Sequence, residues 1–247
     1  MKYQIFTASL NRAKICKTHK YLKDITYVVS EKEAKEYREI HDKVWAIPNE
    51  IQGNLARVWN YILENAQSEN VILIDDDIKH FRRWNRNESI KLSEEQVHEM
   101  IEKGIILAED LDVVYWGLNC LEDKGAYREY TPFGMKQYIG GPFQAHRANP
   151  LRYDESIYLK EDYDMTLQVL NKFRKNLRLN MYHYICEQAT IVGGCANYRT
   201  VEKEMAMNRL LQEKWGSKIV KLDNSNRSKK IKEYDINPVI HVPISGV

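Results

Sequence analysis

The segment Val71-Ile72-Leu73-Ile74-Asp75-Asp76-Asp77 constrains the fold more than any other part of the chain. An unbroken apolar run of this length reads as a central strand buried on both faces, because a half-exposed strand would alternate. It ends abruptly in adjacent carboxylates. Ligands of open α/β sheets bind beyond the carboxyl ends of the strands, so these acids stand where a ligand would sit. The flanking sequence alternates to match. Residues 3–9, 25–30 and 44–48 read as strands, 11–20 as a polar loop with a short helix, and 31–40 as a charged helix. Residues 54–66 place Leu55, Val58, Trp59, Ile62 and Leu63 at helical spacing. Strands alternating with helices predict a mostly parallel sheet flanked by helices, with right-handed crossovers.

The second half is less regular. Ser93 followed by Gln96 is a capping-box pattern and predicts a helix to about residue 110. Residues 113–118 read as a strand, 122–134 as a polar loop, and 137–139 as the start of a strand that meets Gly140-Gly141-Pro142. A helix is expected over 161–173, a strand over 177–185 and a helix over 200–215. From residue 218 the chain turns polar and basic, and its end reads as extended. The expectation is one α/β domain over 1–247 with a basic tail from 218. A chain of 247 residues with 43% hydrophobic residues can bury a core without disulfides. The net charge of +2 indicates no particular partner. Cys16, Cys120, Cys186 and Cys195 include no Cys-x-x-Cys pair, which argues against a zinc knuckle and for a reduced, cytoplasmic protein. The opening MKYQIFTASLN lacks a signal peptide's apolar core, and no stretch approaches the length of a membrane span.

Adjacent carboxylates raise each other's pKa unless a cation is shared between them. Oxygen-only ligands favour Mg²⁺ or Mn²⁺, which take phosphate oxygens as further ligands. Asp75 and Asp77, with Asp76 between them, therefore suit a metal-bound diphosphate. The same cluster also fits a solvated turn, a nucleotidyltransferase or a metal phosphatase. A second acidic cluster comprises Asp154, Glu155, Glu161, Asp162 and Asp164. Acids at a helix start are routine, since the macrodipole favours them. In functional terms, sugar transfer with inversion needs one carboxylate to take the proton of the attacking hydroxyl. A basic strip follows the triple acid, with Lys79, Phe81, Arg82, Arg83, Trp84 and Arg86. Cations there could hold phosphates, and aromatic faces could stack on an exposed base. It could equally be a solvated face or bind the donor. Residues 172–178 and 227–232 are further basic stretches. No P-loop, dinucleotide fingerprint or Gly-x-Ser-x-Gly elbow is present.

The order of Asn11-Arg12, VILIDDD, a Gly-Gly strand and KEDYD opening a helix resembles glycosyltransferases of the GT-A fold. The opening TASLNRAKICKTHKYLKDITYVVSEKEAKEY, Pro48, GNLARVWNYIL and LIDDD look like phage glycosyltransferases associated with TET-type base dioxygenases. The stretch Ala56-Arg57-Val58-Trp59-Asn60 departs from that group's Arg-Asn pattern. The resemblance implies a GT-A-like, Rossmann-like domain, with a nucleotide-sugar-binding half over 1–80 and an acceptor and catalytic half over 81–217. It implies a nucleotide-diphosphate sugar donor, UDP-linked, with Mn²⁺ or Mg²⁺. Asp75, Asp76 and Asp77 match the diphosphate motif, and Thr7, Ser9 and Arg12 the nucleotide region. Gly140 and Gly141 match the strand beside the sugar. Asp162 matches the catalytic base, with Glu161 as alternative. A late histidine, His241 or else His183, matches the further metal ligand. The implied acceptor is a hydroxymethylated pyrimidine in DNA, contacted by Phe81, Arg82, Arg83, Trp84 and Arg86. Transfer to a saccharide, lipid or protein, nucleotidyl transfer, and a degenerate nucleic-acid-binding module stay open as alternatives.

Overall fold

The computed structural model describes residues 2–120, 122, 125, 127–186, 193–222 and 236–244. The first half builds β1 (Gln4–Ala8), β2 (Thr26–Ser30), α1 (Ala34–Arg38), β3 (Val44–Ile47), α2 (Leu55–Asn65) and β4 (Asn70–Ile74). β4 is buried at every position, as its unbroken apolar run requires. α2 starts where the Asn54 side chain accepts the Arg57 N–H and closes one orphan donor of the first turn. α1 is shorter than the expected 31–40.

A hairpin of β5 (Ile78–Asn85) and β6 (Glu88–Lys91) follows, then α3 (Glu94–Asp110). Both arms of the capping box form at its start, with Gln96 N–H donating to Ser93 Oγ at 3.3 Å and Ser93 N–H to Gln96 Oε1 at 2.9 Å. β7 (Tyr115–Asn119), β8 (Phe133–Gly134), β9 (Phe143–Arg147), α4 (Glu161–Phe173), β10 (Leu177–Cys186) and α5 (Val201–Trp215) complete the main body. The expected strand at 137–139 is not there; β9 begins only after Gly140-Gly141-Pro142. The expected tail from 218 folds back in part, since β11 (Val220–Leu222) pairs antiparallel with β12 (Pro238–Ile240). The basic stretch 227–232 lies outside the described residues.

The main sheet runs β3-β2-β1-β4-β9-β7-β10-β5-β6, with β8 on β10. β3, β2, β1 and β4 are parallel, β9 is inserted antiparallel between β4 and β7, and β10 is parallel to β7. This mixed, mostly parallel sheet flanked by helices is the expected α/β class. One core cluster joins α3 to Trp116, Leu118, Leu177 and Leu179. Another joins α2 and α4 to the opposite face, with Trp59, Tyr115 and Ile139. No helix among the described residues is long and apolar enough to cross a membrane.

The α3 contact depends on Gly104, where an added Cβ would strike the indole of Trp116. Gly104→Ala should therefore cost about 1–3 kcal/mol of stability through overpacking, although alanine favours helix by about 1 kcal/mol. Denaturant unfolding checks this; a midpoint at or above the parent's contradicts it.

Candidate active site

The acids after β4 sit in a turn stitched to the N-terminal segment. Thr18 Oγ1 donates to the Asp75 carbonyl at 2.7 Å and accepts the Ile78 N–H at 3.0 Å. The N–H groups of Lys17 and Thr18 donate to the Asp76 carbonyl. The Asp76 side chain turns inward. Its Oδ1 meets Arg12 Nη1 at 2.6 Å and its Oδ2 accepts from Ser9 Oγ at 2.5 Å. Ser9 Oγ also lies 2.6 Å from the Tyr37 hydroxyl. Burial and the Asp76 charge push the neighbouring Cys16 thiol up to about 12, so it stays protonated. Arg12 reaches onward to the Gly193 carbonyl at 2.9 Å.

Asp75, Asp76 and Asp77 line a cavity of about 540 Å³ at the carboxyl end of β4. Glu161 and Asp162 line the same cavity from the N-terminus of α4. Asp162 is held by three donors: Gly141 N–H at 2.9 Å and the Tyr138 hydroxyl on Oδ2, and Tyr163 N–H at 2.8 Å on Oδ1. The Gly-Gly turn lets the chain pass close. A Cβ on Gly141 would lie 3.3 Å from Asp162 Oδ2, and one on Gly140 would lie 2.6 Å from the Tyr184 hydroxyl. Burial, then Asp77 and Asp76, raise the Asp75 carboxyl well above the usual carboxylate range. Burial and then Asp162 do the same to Glu161. Lys160 and Arg199 both pair with buried Glu204, at 2.7 and 3.0 Å, and these groups form part of the cavity wall.

Several expected site residues lie elsewhere or are already engaged. Thr7 is fully buried inside the sheet and is not on the cavity wall, because it points to the face of β1 opposite to that of Ala8, which does line the cavity. Ser9 lines the cavity, but its hydroxyl is bonded within the Asp76 cluster. Phe81 and Trp84 are core residues of β5, so neither offers a face to a base. Phe81 packs edge-on against Phe143, and Trp84 stacks on His183. Arg82 is bonded to Ser89 through Nε and Nη2, whereas Arg83 is half-buried and Arg86 is exposed in the hairpin turn at φ 53°. His183 is buried beside Ser89, with Nε2 3.0 Å from its Oγ. His241 lines a separate shallow groove with Tyr138, Tyr163 and Pro238. Neither histidine borders the acid-lined cavity, since the packing of β10 on β5 and of β12 on β11 carries them away from it. Asp164 is fully buried and ties α5 to α4, accepting from Lys214 Nζ at 3.0 Å and Trp215 Nε1 at 2.8 Å.

Sequence reasoning missed Tyr138, Lys160, Arg199 and Glu204. Of these only Lys160 carried a local signal, as the residue before the Glu161-Asp162 pair. Arg199 and Glu204 reach the cavity only because α5 packs back on the start of α4.

Comparison with curated proteins gives no match. Among solved structures, glucosyl-3-phosphoglycerate synthase from Mycobacterium tuberculosis with Mg²⁺ and uridine diphosphate is 9% identical. The match covers 97% of this chain and 87% of that one at a TM-score of 0.51. The same enzyme with Mn²⁺, uridine diphosphate and phosphoglyceric acid is 8% identical over 97% and 86% of the two chains, at 0.50. TarS 1–349 from S. aureus is 14% identical over 86% of this chain, at 0.46; the present chain spans 66% of that fragment. The synthase likeness shows a GT-A-type α/β fold. The family profile of the TET-associated glycosyltransferases matches residues 3–194, the whole span from β1 through the acid-lined cavity and β10, and the chain belongs to that family.

Proposed function

We propose that the protein transfers a glycosyl group from a UDP-linked sugar to a hydroxyl acceptor, the acceptor being a hydroxymethylated pyrimidine in DNA. The observation that carries this reading is the convergence of Asp75 and Asp77 with Glu161 and Asp162 on one cavity. The first pair suits a metal-bound diphosphate and the second a proton acceptor. The strand order supports the division of labour. The loop after β1 brings Arg12 and Ser9 to one wall, and the Gly140-Gly141 turn and the start of α4 form the other.

The residues fit a divalent cation. Asp75 is a half-buried carboxyl whose charge is disfavoured by desolvation and then by Asp77 and Asp76, and a cation beside it would relieve that repulsion. Among the described residues no three His, Cys, Asp or Glu side chains converge as a self-sufficient metal site. Mg²⁺ or Mn²⁺ is commonly held by one or two carboxylates, with ligand phosphates and water completing the shell. Asp75 and Asp77 would hold the ion, which supplies charge neutralisation for the departing diphosphate.

In the proposed reaction the acceptor hydroxyl gives its proton to Asp162. Its oxygen attacks the anomeric carbon from the face opposite the diphosphate. The new C–O bond forms as the bond to the diphosphate oxygen breaks, and the nucleoside diphosphate leaves with inversion at the sugar. Gly141 N–H and Tyr138 orient the Asp162 carboxylate for this step. Glu161 is the less suited base, because its burial favours the protonated form. With Phe81 and Trp84 in the core, contacts to acceptor phosphates from this side fall to Arg83 and Arg86 on the β5–β6 hairpin.

Asp162→Asn should lower transfer to hydroxymethylcytosine-containing DNA by about 10²–10⁴-fold, the usual contribution of a general base. Affinity for UDP should be unchanged. Release of UDP in a coupled assay reads the rate; an unimpaired variant removes Asp162 as the base. Transfer to saccharides and none to modified DNA would redirect the acceptor. A second test follows from Asp75. A carboxyl whose folded pKa lies above its unfolded value favours folding below about pH 3.8. That contribution is lost as pH rises through the folded value. Asp75→Asn should therefore raise the melting temperature at neutral pH, and the gain should disappear in acid. The same variant should lose stabilisation by UDP with Mn²⁺. A melting temperature equal to the parent's at both pH values contradicts the crowding of charge at Asp75.

A further inference from the structure

The cavity wall formed by β7 and β10 holds polar groups that the reaction above does not use. Arg178 on β10 lies opposite Gly117 on β7, and Asn119 is two residues further along β7. Residues two apart on a strand share a face. Trp116, Leu118, Leu177 and Leu179 occupy the other face, against α3. Arg178 and Asn119 thus share the face that looks into the cavity, and both line it.

Asn119 is 2% exposed, yet its Nδ2 has no hydrogen-bond partner among the described residues. Buried amides are seldom left this way, because the desolvation of the donor is not repaid. Arg178 shows a second deficit. Its Nε donates to Asn180 Oδ1 at 2.9 Å and its Nη1 to the Tyr138 carbonyl at 3.4 Å. Among the described residues no carboxylate lies within ion-pair reach of it, whereas Arg12 has Asp76, and Lys160 and Arg199 share Glu204. Burial works against its charge, and the groups that act in its favour are the Cys120 thiol and the Tyr184 phenol rather than a carboxylate. A guanidinium in this setting presents a planar fork suited to two oxygens of an anion.

We propose that Asn119 and Arg178 form a subsite for a phosphate of the acceptor nucleotide, an inference that rests on the nucleic-acid acceptor proposed above. The position separates this phosphate from the donor's. β10 stands three strands from β4 in the sheet, about 14 Å at the usual strand spacing. The donor diphosphate is assigned to the end of β4. Arg178 is also coupled to the proposed base: the residue whose carbonyl receives its Nη1, Tyr138, donates its own hydroxyl to Asp162. A phosphate on Arg178 would therefore set the distance of the nucleotide's base from Asp162.

The test is calorimetric titration of the full chain, with UDP and Mn²⁺ present. The probes are 5-hydroxymethyl-2′-deoxycytidine and its 5′-monophosphate. The parent should bind the monophosphate at least about tenfold more tightly than the nucleoside, the scale of one charge-assisted contact. Arg178→Gln should erase that preference, and Arg178→Lys should keep part of it. Asn119→Ala should weaken the monophosphate more than the nucleoside. UDP affinity should be the same in all four proteins, which also shows that the variants fold. Equal binding of nucleoside and monophosphate by the parent overturns the subsite. So does a loss of UDP affinity in step with the loss of monophosphate, which would place Arg178 on the donor. A phosphate preference that Arg178→Gln removes, in a protein that glycosylates no hydroxymethylated pyrimidine, upholds the subsite and overturns the acceptor reading.

Discussion

The buried pair of Arg12 and Asp76 is the contact on which the site depends. Three adjacent carboxylates cannot all point into one cavity without severe repulsion. Here the middle one is turned away and neutralised by Arg12 at 2.6 Å, with Ser9 completing its hydrogen bonding. The pair ties the loop after β1 to the turn after β4. Arg12 carries the tie further, to the Gly193 carbonyl on the segment leading to α5. Removing one member of such a pair leaves an uncompensated buried charge, typically a loss of about 3–5 kcal/mol.

After that neutralisation a cluster of four carboxyls on one side and the Arg178 guanidinium on another remain in the cavity. Asp75, Asp77, Glu161 and Asp162 face it, while Lys160 and Arg199 are taken up by Glu204. The N-terminus of α4 offsets part of the charge on Glu161 and Asp162, and its Tyr163 N–H donates to Asp162 Oδ1. Burial, then Asp77 and Asp76, drive the Asp75 carboxyl toward its neutral form, and the Arg12 charge opposes this only in part. A divalent cation held as proposed above would offset the charge that Asp75 and Asp77 bring together.

The parts of the fold that were legible in the sequence are those whose burial is decided locally. β4 is apolar throughout, α4 runs over the expected 161–173, and the Ser93–Gln96 box marks the start of α3. β9 was hidden because one of its two buried faces is polar, with Gln144 and His146 between the core residues Phe143 and Ala145. Gln144 is fully buried and accepts from the hydroxyls of Tyr115 and Tyr153 at 2.6 and 2.9 Å, partners that only the tertiary fold supplies. β5 misled for a related reason. Its buried residues fall at Ile78, Phe81 and Trp84, three apart rather than two, so strand alternation did not separate core aromatics from a binding surface. In the site, the acids could be found because they cluster in sequence. Asn119, Arg178, Arg199 and Glu204 come from separate elements and meet only across the sheet and helix packing.

The most direct test of the central claim, that the acid-lined cavity is a metal-dependent nucleotide-sugar site, is calorimetric titration of the parent protein with UDP. One arm contains Mn²⁺ and the other a chelator. Binding at one site per chain with Mn²⁺, and its loss with chelator, is the predicted result. Binding of equal strength in both arms, or no binding to the folded protein in either, would contradict it.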